Sequence, residues 1–474
     1  MTGYFKKNLV VGGAEILCRL PYIFTLGYMA QQVGPALFGV WAIVVVFQGL
    51  LSALAGLGLP SALSVHAPVV DGAKARGYLM FTVMVGLVAS LAGIGLTWLA
   101  DVPLGHMLGL DPDHTGLLVA GGLLALGTVL DSLFDAYCKA RERVGAQLAY
   151  LSTRTAIEVA VVLVIFAPTL WTALTPETRL FAYALCVVAL KLFGYGALAG
   201  LDGRHVRAVP ASGEARAKLL RYGTRMIAAI LVMRFASQAD RFALGLSAPD
   251  AVVGVYAFGA SLAAYLVFLG YAIYPLLLTR VSKLHAENAT DEIRRLFGLS
   301  QGVYLRLLAL ALAGLALFSG EIIAMTAGAA FAAASGVLFV LAIAVSIDHF
   351  FGIYEFSMMA GQRHRSILLT HVFHVTLIIV LVYLLGGYGP LAAAWGMVAA
   401  ALLHNGLRYF LAQRSIRVPV DPINVMAFAG VAAAAVLLHN VAGGLELLPR
   451  IAIAAIILPG LSVYSVRGLL KCAV

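Results

Sequence analysis

Only 11% of this 474-residue chain is charged, and several of those charges fall in the middle of long apolar runs. The deepest cations are Arg19, Lys191 and Arg234. Gln238 and Arg241 follow Arg234 at i+4 and i+7, which on a continuous helix makes one polar stripe. An ionisable side chain at mid-bilayer costs at least ~2.5–3.5 kcal/mol on insertion scales, so such residues face a protein interior or a wet cavity. Cations converging on one cavity suit an anionic headgroup, above all a diphosphate. Local neutralisation is the competing reading, since Glu15 precedes Arg19 by four residues, an ion-pair spacing.

The deep acids are Glu15, Glu158, Asp240 and Asp348, with Asp131, Asp135 and Glu355 nearer helix ends. Asp131 and Asp135 share a face as like charges, an arrangement suited to H+ or Na+ coupling, or to an interfacial salt network with Lys139 and Arg141. Asp348 and Glu355 lie seven apart on one face, and Glu158 follows Arg154 at ion-pair spacing. These five acids (Asp131, Asp135, Glu158, Asp348 and Glu355) are the candidates for ion coupling. His371 and His374 face together on one helix, and His404 and Arg408 on the next. A metal would need further ligands that the pattern does not assign, so hydrogen bonds between helices are expected there; no metal and no cofactor is implied.

These residues must be carried by membrane-spanning helices. The chain is 62% hydrophobic with a mean hydropathy of +0.96, against roughly a quarter charged for a soluble fold. Surface scaling forbids burying that much apolar chain in a water-soluble core, and lipid leaves only helices or closed barrels. Continuous apolar runs of about twenty residues select helices. The pattern predicts about fourteen, at 9–31, 37–60, 79–100, 116–137, 148–170, 179–200, 223–246, 254–278, 299–320, 334–359, 366–386, 390–412, 423–440 and 448–466. Of the 32 Lys and Arg, 22 fall in alternate loops and two, Arg179 and Arg450, in the opposite ones. The positive-inside rule then puts both termini in the cytoplasm. The net charge of +10 thus reflects orientation rather than nucleic-acid binding. No cleavable signal peptide is expected, because Glu15 and Arg19 interrupt the first apolar run. The four cysteines lack metal spacing and fall in or on the cytoplasmic side of the membrane, so disulfides are not expected.

The two halves repeat. Residues 19–63 align with 234–278 at a constant offset of 215 positions, pairing Arg19 with Arg234, Gly39 with Gly254, Trp41 with Tyr256 and Pro60 with Pro275. Later the offset drifts to about 220 and pairs Asp135 with Glu355. Six helices separate the copies, so both run the same way, as expected for two lobes about an axis along the membrane normal with a site between them. The fold class is therefore an all-α polytopic membrane protein with two six-helix lobes in pseudo-two-fold arrangement. Its segments are an N-terminal lobe (1–200), a cytoplasmic linker (201–222), a C-terminal lobe (223–412) and two further helices (413–474). Pro21 within the first helix, and Pro60 and Pro275 at the ends of the second and eighth, are candidate hinges. The basic loop 279–298 is expected to hold a short amphipathic surface helix and, with loop 201–222, to contact anionic lipid. No loop is long enough for a soluble catalytic domain, and no Walker A, G-x-S-x-G or H-E-x-x-H motif occurs, so the chain is not expected to be an enzyme.

The first two spans carry Asn8, the Gly34-Pro35-x-x-x-Gly39 turn, Trp41, and Gly56 and Gly58 before a small-residue exit. This stretch resembles the start of bacterial polysaccharide flippases, the Wzx-type transporters of the multidrug/oligosaccharidyl-lipid/polysaccharide (MOP) superfamily. The resemblance implies a bacterial inner-membrane transporter that turns undecaprenyl-diphosphate-linked oligosaccharide, as in O-antigen and other lipopolysaccharide synthesis, from the cytoplasmic to the periplasmic leaflet. By alternating access it would use a cationic cavity to which Arg19 and Arg234 correspond. It also implies a place beside polysaccharide polymerase machinery. Many relatives have a basic residue soon after the helix 2 exit; here Ser64-Val65-His66 stands instead. The alternatives are a cation-coupled multidrug exporter of the same superfamily, a membrane glycan ligase or polymerase, and a non-transporting component of an assembly complex. An exporter of cations calls for twelve helices and an acidic cavity, and a ligase for a large periplasmic loop.

The topology makes a testable statement. In a cysteine-free background, a cysteine at His106 should react with a membrane-impermeant maleimide from the periplasm, and one at Arg76 only after the inner face is opened. Equal labelling of both from one side would refute the orientation.

Overall fold

The computed structural model describes the backbone of residues 2–141, 143–167, 169–170, 173–203, 208–267 and 274–473. Side chains are described there except at 2–16, 19, 198–203, 274–276, 278–279, 286, 364 and 463–473. As side chains, Glu15, Arg19 and Pro275 therefore lie outside the described residues. The described backbone is helical and contains no strand. Its helices are α1 (Thr2–Ala55), α2 (Leu59–His66), α3 (Gly72–Leu99), α4 (Asp101–Met107), α5 (Leu117–Ala140), α6 (Val144–Ile165), α7 (Pro176–Gly203), α8 (Gly213–Ala236) and α9 (Ala239–Gly245). The remainder are α10 (Asp250–Ala263), α11 (Tyr274–Ala286), α12 (Thr290–Ala327), α13 (Ala334–Ala360), α14 (His364–Gly386), α15 (Pro390–Gln413), α16 (Pro422–Gly443) and α17 (Leu447–Ala473). Among the described residues, each of the fourteen expected spans overlaps helix. Ten described helices are long and apolar enough to cross a bilayer, and Asp250–Leu266 and Leu447–Ser462 are shorter apolar segments.

The chain forms two compact units, Met1–Gly254 and Val255–Val474. In the first, α5 is the central helix and packs against α1, α2, α3 and α7. In the second, α13 is central and packs against α11, α12 and α15. Two thirds of the apolar window of α5 and of α13 is buried, against 17% for α14 and α16. Side chains such as Leu96, Trp98, Leu384 and Ile423 stand exposed, which is stable only if lipid covers them. The central helices are mates in the expected repeat, and they carry Asp131, Asp135, Asp348 and Glu355. Small residues let neighbours approach α5: a Cβ on Gly121 would meet the Val44 side chain at 2.9 Å.

Spans one and two are fused in α1 and meet at Gly34, whose φ of 78° and ψ of 167° leave the helical region just before Pro35. Downstream, Gly39 and Gly254 have no room for a side chain. A Cβ on Gly39 would collide with the carbonyl of Asp250, and one on Gly254 with the carbonyl of Pro35. Those four residues are two pairs of repeat mates, so α1 and α10 cross backbone to backbone through matched positions. The repeat also appears in local structure: α2 begins at Leu59-Pro60 and α11 at its mates Tyr274-Pro275.

Three expectations differ from the structure. Pro60 does not end a helix; it sits in the first turn of α2, after a break at Leu57 and Gly58 with positive φ, where its missing N–H costs nothing. Residues 290–298 form no separate surface helix but the first turns of the 38-residue α12, whose Asp291 and Glu292 complement the helix dipole after a turn at Asn288. Span seven is not continuous, since α8 ends at Ala236 and α9 begins at Ala239. At the N-terminal end of α3, the Lys74 N–H donates to the Asp71 carboxylate at 2.8 Å and holds that carboxyl below its usual range. The cap therefore stabilises α3 above the free carboxylate's range and fades as the pH falls.

At the crossing of Gly39 and Gly254 an added methyl must displace backbone. Gly39→Ala and Gly254→Ala should each destabilise the detergent-solubilised protein by about 1–3 kcal/mol in thermal unfolding. Gly95→Ala, where a Cβ meets nothing within 4 Å, should not. Equal melting of all three variants would contradict the crossing.

Candidate functional site

In the first unit, three helices bring four ionisable groups together. α5 supplies Asp131, α6 supplies Arg154 and Glu158 one turn apart, and α7 supplies Lys191 and Tyr195 one turn apart. Lys191, 3% exposed, places its Nζ 2.8 Å from Asp131 Oδ2 and 2.7 Å from Glu158 Oε1. Arg154 Nε lies 3.3 Å from the same two oxygens. The Tyr195 hydroxyl donates to Asp131 Oδ1 at 2.5 Å, and the Tyr150 hydroxyl donates to the Asp131 backbone carbonyl at 3.0 Å. Two carboxylates thus face two cations, and the Tyr195 hydroxyl occupies the second oxygen of Asp131.

This arrangement changes how three sequence candidates are read. The Arg154–Glu158 pair is present as the spacing suggests. Lys191, which the pattern makes one of three cations open to an anion, is instead enclosed between two carboxylates. Asp131 and Asp135 share α5, yet each has its own partner: Asp135 pairs with Lys139 at 2.7 Å and accepts from the Gln147 amide at 3.2 Å.

The other expected cations differ from Lys191. Arg234 is exposed in the last turn of α8 and makes no ion pair among the described residues. The helix then breaks, with the Ser237 hydroxyl donating to the Arg234 carbonyl at 2.8 Å and the Gln238 N–H to the Phe235 carbonyl at 3.0 Å. Gln238 therefore does not extend the α8 stripe. Its amide lies over Gly49 of α1, where a Cβ would stand 2.8 Å from Nε2. Gln238 Oε1 and Arg241 Nε are buried without a hydrogen-bond partner. A buried polar atom in that state is costly unless a ligand or water satisfies it.

In the second unit, α13, α14 and α15 build a second polar cluster around Asp348 and Glu355. Asp348 Oδ1 accepts from the Asn405 amide at 2.6 Å and lies 3.4 Å from His404 Nδ1, while its Oδ2 lies 3.9 Å from His374 Nε2. Glu355 lies 3.3 Å from Arg408 Nη2 and 3.3 Å from His371 Nε2. Arg408 Nη1 donates to Asn405 Oδ1 at 2.7 Å. The His374 and His404 rings stack with centroids 3.9 Å apart and planes 11° apart. One ligating atom from each of Asp348, His374 and His404 falls within 4.8 Å of the others, a grouping that could hold a metal ion. Spacing brought out the two faces, His371 with His374 and His404 with Arg408. It gave no sign that both turn toward the Asp348 helix, nor of Asn405.

The fold is shared with solved transporters. The lipid II flippase MurJ, in an inward closed conformation, matches with a TM-score of 0.71 at 14% identity, over 98% of this chain and 100% of its own. An inward-facing MATE-family multidrug resistance transporter matches at 0.67 and 13% identity, over 87% and 99%. A MOP-superfamily transporter from Pyrococcus furiosus, described as having a binding pocket of reverse polarity, matches at 0.60 and 14%, over 87% and 96%. No curated protein is similar in sequence. These elements define a multi-pass, all-helical membrane protein with the fold of those transporters. The chain belongs to the polysaccharide biosynthesis protein family, whose pattern spans residues 6–279.

The first-unit network tests as a closed set. Asp131→Asn should destabilise the protein by about 3–5 kcal/mol, because Lys191 and Arg154 are left to share one acid. Asp131→Asn with Lys191→Met removes one charge of each sign and should cost less than the sum of the single changes, in chemical or thermal unfolding. Strict additivity would show that the pair is not coupled.

Proposed function

We propose that the protein turns an undecaprenyl-diphosphate-linked oligosaccharide from the cytoplasmic to the periplasmic leaflet of the bacterial inner membrane by alternating access, coupled to an ion gradient. The observation that carries this reading is the α8–α9 break. Arg234 and Arg241 have no counter-ion there among the described residues, and Gln238 and Arg241 keep unsatisfied polar atoms. Guanidinium groups without carboxylates suit phosphate oxygens, which they can hold through two parallel N–H donors. Membership in a polysaccharide biosynthesis family supports a glycan cargo, and the likeness in fold to a lipid II flippase supports a lipid-linked one. A multidrug exporter of organic cations would place acids, not arginines, where the cargo binds.

In this reading the functional lobes are 1–200 and 223–412, joined by the linker 201–222 and followed by the two helices of 413–474. Arg19, the mate of Arg234, supplies a further cation. Lys191 enters the anion site only if its two carboxylates release it. Pro21 lies within α1, and Pro60 and Pro275 lie where α2 and α11 begin; in this reading the three serve as hinges. A glycan cannot cross hydrocarbon, whereas its polyprenyl tail need not leave it, so only the headgroup requires a polar path. Delivery of the flipped unit to polysaccharide polymerase machinery completes the proposal.

The test is transport in proteoliposomes of a lipid-linked oligosaccharide whose leaflet is read by enzymatic trimming from outside. Arg234→Ala and Arg241→Ala should each slow flipping at least tenfold while leaving expression and melting temperature unchanged, and Arg234→Lys should retain part of the rate. Wild-type rates in both alanine variants would remove the site, and export of a cationic dye without flipping would favour the multidrug reading.

A further inference from the structure

The polar clusters on the central helices leave unused a basic hollow elsewhere in the second unit. A cavity of about 870 Å³ opens between α12, α13 and the 419–424 segment that leads into α16. That volume is in the range of small-ligand sites, roughly 300–1,000 Å³. Its shape comes from the sequence of α12. Arg295, Gly298, Gly302 and Arg306 follow one another at three- and four-residue steps, which puts them on one helix face. A Cβ on Gly302 would meet nothing within 4 Å, and one on Gly298 only the Asn424 amide, at 4.0 Å. The two glycines make the hollow, and an arginine stands at each end of it.

The walls are fixed. Phe297 and Tyr354, both in the lining, pack edge to face with ring centroids 5.6 Å apart. The Asn424 amide donates to the Gly298 carbonyl at 3.2 Å, and the Val420 N–H donates to the Tyr409 hydroxyl at 3.3 Å. The chain entering α16 is thereby held against α12 and α15. The charges of the lining do not cancel. Asp291 pairs with Arg294 at 3.4 Å, and the Asp421 carboxylate caps α16 by accepting from the Ile423 N–H at 3.0 Å. Arg295 makes no ion pair among the described residues. Three arginines against two aspartates leave one surplus positive charge.

Depth selects the ligand. α12 has 38 residues and is about 57 Å long, against ~30 Å of hydrocarbon. From Leu307 to Ala327 its single ionisable residue is Glu321, so Arg306 stands at the edge of the apolar stretch, and Arg294 and Arg295 lie outside it. Leu299 in the lining, and Ile423 and Met426 in the first turns of α16, are exposed and need lipid to cover them. A ligand with a phosphate for the guanidinium groups and acyl chains for those residues meets both demands. One surplus charge suits a phosphodiester carrying one negative charge. A diphosphate would bring more, and a phosphocholine headgroup has no net charge.

We infer that this cavity binds the headgroup of an anionic phospholipid from the surrounding leaflet, and that the bound lipid pins α16 to α12. Arg295 holds the phosphodiester, and Arg306 adds positive charge at the end nearer hydrocarbon. This narrows the lipid contact expected of residues 279–298 to one pocket. The site shares no residue with the α8–α9 break and does not depend on the cargo.

The test uses full-length protein in a non-ionic detergent, titrated with dioleoylphosphatidylglycerol. Bound lipid is counted by native mass spectrometry, and the melting temperature is followed in parallel. One phosphatidylglycerol should bind at least about tenfold tighter than dioleoylphosphatidylcholine and raise the melting temperature. Arg295→Ala should lose that preference. Gly302→Leu, which fills open space, should fold and exclude the lipid. Arg365→Ala, which lines no part of the cavity, should bind as the wild type does. Unchanged affinity in Arg295→Ala or in Gly302→Leu would overturn the site, as would an equal loss in Arg365→Ala, the mark of a diffuse basic surface. Glycerol 3-phosphate competing as well as the lipid would make the ligand a soluble phosphate ester and overturn the lipid assignment. Undecaprenyl diphosphate binding there more tightly would make the hollow part of the cargo path and likewise overturn it.

Discussion

Charge cannot be left unanswered where hydrocarbon is the solvent, and the organisation of this protein follows from how that demand is met. Asp131 accepts from Lys191 and Tyr195 and lies beside Arg154, so α5, α6 and α7 are tied by groups that none of them could bury alone. The tie is placed on one of the two most buried described spans of the first unit. Removing one member strands the others, which makes the network a constraint on the fold as well as a contact within it.

The second unit uses the same architecture with a different charge count. Its central helix carries two acids seven residues apart, and the neighbouring helices answer with one arginine and three histidines. A permanent cation fixes one acid, and titratable rings face the other. The two central helices therefore hold one cluster in which acids and permanent cations balance and one in which imidazoles face an acid. Arg234 and Arg241 are a third case, cations with no acid partner among the described residues, and this is the chemistry a phosphate-bearing cargo would complete.

Much of this was legible in the sequence because the bilayer imposes simple rules. Apolar run length located the helices, ten of which, among the described residues, are long and apolar enough to cross a bilayer, and the offset of 215 positions pairs Gly39 with Gly254, which meet at a backbone crossing. What was not legible depends on contacts between distant segments. Spacing alone shows Glu158 near Arg154, but nothing in it says that Lys191 arrives from α7 to share both acids. The break between α8 and α9 is equally hidden, since Ser237 and Gln238 are ordinary helix residues until a side-chain bond to the backbone and the space over Gly49 decide otherwise. Pro60 was read as a stop because proline punctuates helices at either end, and only the positive φ values of Leu57 and Gly58 show which end it marks.

The matched crossing of α1 and α10 has an implication for ancestry. Pro35 and Gly39 meet Asp250 and Gly254, each half of the contact presenting the counterpart of what it receives. A surface that recognises its own copy is what a homodimer about a two-fold axis requires. A duplicated and fused gene would inherit such an interface ready-made, with glycine needed on both sides from the outset.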